Sequence, residues 1–142
     1  MYDVFEVLAS GMSSMRLRVN TIAANIANAQ TTRTEDGGPY KKKDVVLQAL
    51  DQESSFENAL DEMSLSKPRV LAVVEDQSEP KKVYQPGHPD ADESGYVAYP
   101  NVNVVESMTN LMMATRNYEA NVSALKATRD MLRQASDIAG RF

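Results

Sequence analysis

Between Phe5 and Ala29 the apolar positions of the chain recur at alternating steps of three and four: Phe5, Leu8, Met12, Met15, Val19, Ile22, Ile26 and Ala29. That spacing draws one unbroken heptad stripe and predicts a helix from about Tyr2 to Asn28, ~40 Å long. A single apolar stripe of that length does not hold a helix in water, so it requires a partner. The C-terminal segment repeats the pattern with Met108, Leu111, Thr115, Tyr118, Val122 and Leu125. After one step of three it resumes as Thr128, Leu132, Ala135, Ala139 and Phe142, a stammer that overwinds a left-handed coil. No proline or glycine interrupts the chain between Val104 and Gly140. This predicts a second helix of ~50 Å, capped by Asn101 or Asn103 and ended at Gly140.

The middle of the chain follows another pattern. All six prolines and four of the six glycines fall between Gly37 and Pro100. "KKKDVVLQAL" and "KPRVLAVVED" have the β-branched content and turn-former boundaries of strands, and "KKVYQPGHP" and "SGYVAYP" suggest two shorter ones, each closed by proline. The stretch "QESSFENALDEMSLS" fits a short helix or a loop equally well. The expected fold is α+β: long terminal helices paired as a coiled coil, residues 1–34 and 101–142, around a small, mainly β insertion at 35–100.

Asparagine disfavours helix interiors because its amide competes for backbone hydrogen bonds, yet six lie within the two helical segments. Asn20, Asn25 and Asn28, and likewise Asn110, Asn117 and Asn121, all avoid the apolar stripe and fall on its flanks. Small residues stand beside them at Ala23, Ala24, Ala27, Ala120 and Ala124. Matched placement on both helices suggests further helices packing close to these faces, with the amides as polar contacts between subunits. The simpler reading leaves each Asn exposed, with Asn28 a helix-end residue.

Charge sharpens this division. The chain has 142 residues, 42% hydrophobic and 25% charged, the composition of an ordinary folded domain. Its net charge of −5 divides into +1 for residues 1–34, −7 for 35–100 and +1 for 101–142. Near-neutral ends can pack against copies of themselves, whereas the acidic middle suits water. No basic face with interleaved aromatics appears, which argues against nucleic acid as a partner. No apolar run approaches a membrane span, and Asp3 and Glu6 stand where a signal peptide would carry positive charge, so neither a span nor a cleaved signal is expected.

Catalytic chemistry finds little material. There is no cysteine and one histidine, which removes thiolate chemistry, disulfides and Cys-based zinc sites. The "HPDADESG" stretch gathers His88, Asp90, Asp92 and Glu93, a conceivable oxygen-rich metal site, but it lacks calcium-loop order and reads better as a solvated turn. Lys41, Lys42 and Lys43 precede a strand as edge charges commonly do. No nucleophile motif or phosphate loop is present, so neither enzyme activity nor a cofactor is expected. Of the eight methionines, Met12, Met15, Met108 and Met112 lie on helical stripes, where an adaptable side chain can pack in more than one setting.

At these residues the sequence resembles the bacterial flagellar basal-body rod proteins. The resemblance is carried by "NTIAANIANAQTTRTEDGGPYKKK", "GYVAYPNVNVVESMTNLMMATRNYEANV" and "ALKATRDMLRQASDI". An Ala-Asn-x-x-Asn-x-x-Thr signature is represented by Asn25, Asn28 and Thr31 or Thr32, and "GGPY" and "YPNVNVVE" look like the small proximal-rod branch. It spans both ends, roughly half the chain, and leaves Asp51 to Glu93 with little signal.

The resemblance implies a structural subunit that polymerises into the hollow driveshaft crossing the periplasm between the membrane ring and the hook. It implies helices in the inner layer, the middle facing outward, and export through the flagellar type III apparatus without signal cleavage. Copies of itself, other rod proteins, membrane-ring or rod-base proteins and the export apparatus would then be its partners. The expected assembly seam is Phe5, Leu8, Met12, Met15, Val19, Ile22 and Ile26 with Met108, Leu111, Thr115, Tyr118, Val122, Leu125 and Leu132, the two stripes pairing within one subunit while their flanking faces pack against the helices of neighbouring subunits. A helical-hairpin export chaperone or adaptor is the alternative, because the same two stripes could grip a partner.

Overall fold

A computed structural model describes residues 2–50 and 66–139. Two long helices enclose four strands in the order α1 (Tyr2–Ala27), β1 (Lys43–Leu50), β2 (Lys67–Glu75), β3 (Lys81–Tyr84), β4 (Tyr96–Tyr99) and α2 (Val104–Ala139). The α+β expectation therefore holds, and all four strand candidates are strands. The undecided stretch after Asp51, and the helix end expected at Gly140 with Phe142 beyond it, lie outside the described residues.

The strands form two separate antiparallel pairs, β1 with β2 and β3 with β4. In the first, Lys43 faces Glu75 and Leu50 faces Lys67, with an irregularity at Val46/Leu47 where Leu71 is the extra residue. This hairpin runs back along α1. Its start lies against Asn25, whose side-chain amide bonds Lys43, and its far end reaches Glu6 through Lys67 at 2.8 Å. Eight residues of strand cover ~26 Å and the helix from Glu6 to Asn25 rises ~28 Å, so strand and helix match in length.

The chain reverses between α1 and β1 through Gly37 and Gly38, at φ 82° and 80°, where a side chain would be strained. The Gly37 N–H donates to the Thr34 carbonyl, the Thr34 N–H to the Gly38 carbonyl, and the Tyr40 N–H to the Thr31 carbonyl. This knot delivers Tyr40 and Lys43 to the flank of α1. The β3–β4 pair turns at Gly95, φ 81°, and is tied to the segment after α1 by Thr32, whose hydroxyl donates to Asp90 at 2.8 Å.

Asn103 starts α2, its side-chain oxygen accepting the N–H groups of Val105 and Glu106 at 3.1 and 3.2 Å. Of the two caps expected, this one is made, and Glu106 stands at the third helical position where a capping box places an acid. Helices α1 and α2 pack antiparallel, with Gly11 of α1 against Asn121 of α2. Nine residues before Gly11 is Tyr2 and nine after Asn121 is Asp130. The stretch of α2 from Met131 to Ala139 therefore projects ~14 Å past the start of α1.

Candidate assembly interface

The helix pair comes close at a glycine, Gly11, which lies against Asn121. Gly11, Ser14, Asn25, Ser107 and Ala114 are the buried positions of α1 and α2 among the described residues. Small side chains let the two backbones approach. A Cβ on Gly11 would stand 3.2 Å from the Asn121 amide nitrogen, which accounts for a glycine inside a helix despite its cost of ~1 kcal/mol. Ser107, Ala114 and Asn121 recur every seven residues, and Gly11, Ser14 and Asn25 share a stripe of α1. That recurrence is the signal a search for large apolar residues passes over.

The heptad stripes lie beside this contact. Phe5, Leu8, Met12, Met15, Val19, Ile22 and Ile26 are each half-buried and none is fully enclosed. On α2, Leu111, Val122, Leu125 and Leu132 are half-buried, whereas Met108, Thr115 and Tyr118 are exposed. At 100° per residue, an antiparallel pair centred on Gly11 and Asn121 turns both stripes to the same side. Met12 and Tyr118 accordingly line one shallow groove together with Ala9, Ser13 and Arg16. The β1–β2 hairpin covers another flank of α1, and its own outer face exposes Val46, Leu71 and Val74.

The six asparagines divide. Asn25 is 2% exposed, and its amide grips the strand of its own chain. Its nitrogen donates to the Lys43 carbonyl at 2.7 Å, and its oxygen accepts the Lys43 N–H at 2.9 Å and the Tyr40 hydroxyl at 3.0 Å. Expected between subunits, Asn25 is instead an internal clamp, since both lone pairs and one donor are used within the chain. Burial pushes the Tyr40 phenol above its ordinary pKa, with Lys43 opposing and Glu75 reinforcing, so it stays protonated and donates. Asn28 also bonds locally, donating to the Ala24 carbonyl at 2.9 Å and accepting the Thr31 hydroxyl at 3.2 Å, which makes it the helix-end residue of the simpler reading. Asn121 meets Gly11, Asn110 is half-buried, and Asn20 and Asn117 are exposed.

The acidic turn is similarly occupied. Asp90 accepts Thr32 and faces Arg33 at 3.7 Å, and Asp92 accepts the N–H groups of Ser94 and Tyr96 at 2.9 and 2.8 Å. The His88 ring nitrogen Nδ1 accepts the Asp90 N–H at 3.1 Å. These bonds are turn geometry. Among the described residues no three His, Asp or Glu converge as metal ligands, and no helix is long and apolar enough to cross a membrane. Lys43 faces Glu75 at 3.5 Å across the hairpin, a strand-edge ion pair.

A long helical hairpin with apolar stripes left open and β hairpins appended has the build of an assembly subunit. Comparison with known families agrees: residues 5–33 match the flagella basal body rod protein family, and residues 93–138 match the C-terminal family of the flagellar basal body rod FlgEFG proteins. Flagellar basal-body rod protein FlgC of Bacillus subtilis strain 168 is 39% identical, over 96% of this chain and 97% of its own. The FlgC proteins of Escherichia coli O157:H7 and Borreliella burgdorferi are 38% and 35% identical, over 92% and 95% of this chain and 91% and 95% of theirs. The chain belongs to the FlgC family of flagellar basal-body rod proteins. It is a structural rod subunit, and the chaperone or adaptor alternative falls away.

Proposed function

We propose that the chain polymerises through its terminal helices into the inner layer of the rod, between the membrane ring and the hook, with the acidic middle turned outward. The observation that carries this reading is surface. A compact chain of 15.7 kDa exposes roughly 7,300 Å², whereas this one exposes 10,841 Å². The difference, about 3,500 Å², is worth several standard interfaces at ~800 Å² per partner. On α2 the exposed side chains of Val105, Met108, Met112, Met113, Met131 and Ile138 present apolar surface of the kind whose burial at ~25 cal/mol per Å² drives assembly.

On this reading the half-buried stripe from Phe5 to Ile26 and the residues from Met108 to Leu132 pack against neighbouring rod subunits. Asn20, Asn110 and Asn117 supply polar contacts at the flanks. Membrane-ring or rod-base proteins meet the end of the array, the export apparatus delivers the chain without signal cleavage, and no catalysis is involved. The test is Ile22→Asp, which sets a carboxylate in the middle of the α1 stripe. The variant is expected to be exported yet absent from detergent-stripped basal bodies. Normal motility with wild-type incorporation would refute the assignment of the stripe.

A further inference from the structure

Val105, Met108 and Met112 are 75%, 50% and 59% exposed on one stripe of α2, large apolar side chains left open among the described residues. Thr115 and Glu119 continue the same stripe and are exposed as well. Turned away from the Gly11 contact, α1 exposes Asn20, Ala23 and Ala27, and Arg16, which also borders the groove with Met12 and Tyr118, begins the same stripe at matching steps of four, three and four. Resting on the rod reading above, we propose that this α2 stripe docks antiparallel on the outer face of α1 of a second copy of the chain.

Antiparallel alignment sets Met108 over Ala27, Met112 over Ala23, Thr115 beside Asn20 and Glu119 beside Arg16. Met108 and Met112 each meet an alanine, Thr115 meets Asn20 and opposite charges meet, while Val105 falls level with Gln30 just past the end of α1. The same alignment brings Lys126 within one turn of Glu6. Reversing the direction while keeping Met112 over Ala23 would set Arg16 against Val105 and leave Glu119 at Gln30, so charge selects the antiparallel arrangement. Neither Arg16 nor Glu119 forms an ion pair among the described residues.

The register also carries a direction. Within one chain Gly11 faces Asn121, which sets Arg16 level with Arg116. Between chains Arg16 is level with Glu119, three residues further along, an axial step of ~4.5 Å. The contact joins two different faces and advances along the axis at each repeat, so repeating it generates a climbing helix of subunits and not a closed flat ring.

The absence of cysteine makes the contact testable by crosslinking. Two differently tagged chains, one Ala23→Cys and one Met112→Cys, are expressed together, and isolated basal bodies are treated with a mild oxidant. A disulfide joining the two tags is expected, at least about tenfold more than with Met113→Cys, which lies 100° away around α2. Both tags present in the basal bodies without that disulfide, or equal yields at the two positions, would overturn the register while leaving the rod reading intact. A wild-type tagged chain missing from basal bodies would overturn the rod reading itself. Independently, Arg16→Glu and Glu119→Arg are each expected to lower incorporation about threefold or more, and the double reversal to restore it. A double variant no better than either single one would refute the pair.

Discussion

Replacing Asn25 by alanine removes the clamp between α1 and β1. The substitution leaves the Lys43 N–H, the Lys43 carbonyl and the Tyr40 hydroxyl each short of a partner, at contacts of 2.9, 2.7 and 3.0 Å. Stranding a buried polar group costs about 1–3 kcal/mol, and these three are only partly buried, so the low end applies to each and the sum is about 2–4 kcal/mol. Tyr40→Phe removes one of the three bonds and is expected to cost ~1 kcal/mol. Because both changes break the same contact, the double variant should cost less than the two singles together by about 0.5–1 kcal/mol. Amide hydrogen exchange reads the clamp directly. If the Lys43 N–H exchanges by opening of this contact, Asn25→Ala should accelerate it by about 30- to 1,000-fold. Asn20→Ala, on the exposed side of the same helix, should leave stability within about 0.5 kcal/mol. An unchanged rate at Lys43, or strict additivity with Tyr40→Phe, would show that the amide does not hold the strand.

Three further outcomes follow from particular contacts. Gly95→Ala requires φ 81° of an L-residue and places its Cβ 2.8 Å from Tyr84 Cε2, so a loss of about 2–4 kcal/mol is expected in thermal unfolding; Gly37→Ala, with nothing within 4 Å of its Cβ, should lose only about 1 kcal/mol. The Asp76 carboxylate accepts the hydroxyl and then the N–H of Ser78, which hold its pKa below the usual carboxylate value. A folded pKa below the unfolded one stabilises the fold above the unfolded value, near 4, and that contribution disappears as pH falls through the folded value. Carbon-detected titration should place the Asp76 midpoint below the ordinary carboxylate value, and Ser78→Ala should return it toward normal. In dilute chain, trypsin should cut after Arg129 and Arg133, at and beyond the end of the helix contact, before it cuts after Arg16 or Arg18. Equal resistance at the four sites would argue against an unsupported α2 end.

The terminal helices were legible in the sequence because a seven-residue pattern sustained over three repeats has few other physical readings. The strands were legible because Val45, Val46, Val73 and Val74 sit between turn formers. What the periodicity could not disclose was which stripe closes the pair. An apolar stripe announces itself by composition, whereas Gly11, Ser14, Ser107 and Ala114 act through their lack of bulk, which lets two helix backbones meet before the larger side chains can. Asn25 was correctly placed off the apolar stripe, but its partner depends on a chain reversal at Gly37 and Gly38 that brings Lys43 alongside, a long-range event that no local pattern encodes. The two omissions have a common consequence. Because small residues and one amide satisfy the internal contacts, the large residues from Phe5 to Ile26 and from Val105 to Met112 are left wholly or partly uncovered. A chain that joined its helices through those larger side chains would bury more in isolation and offer less to a neighbour. In this fold the internal contact is economical in apolar surface, and the surface so spared is what further helices can bury.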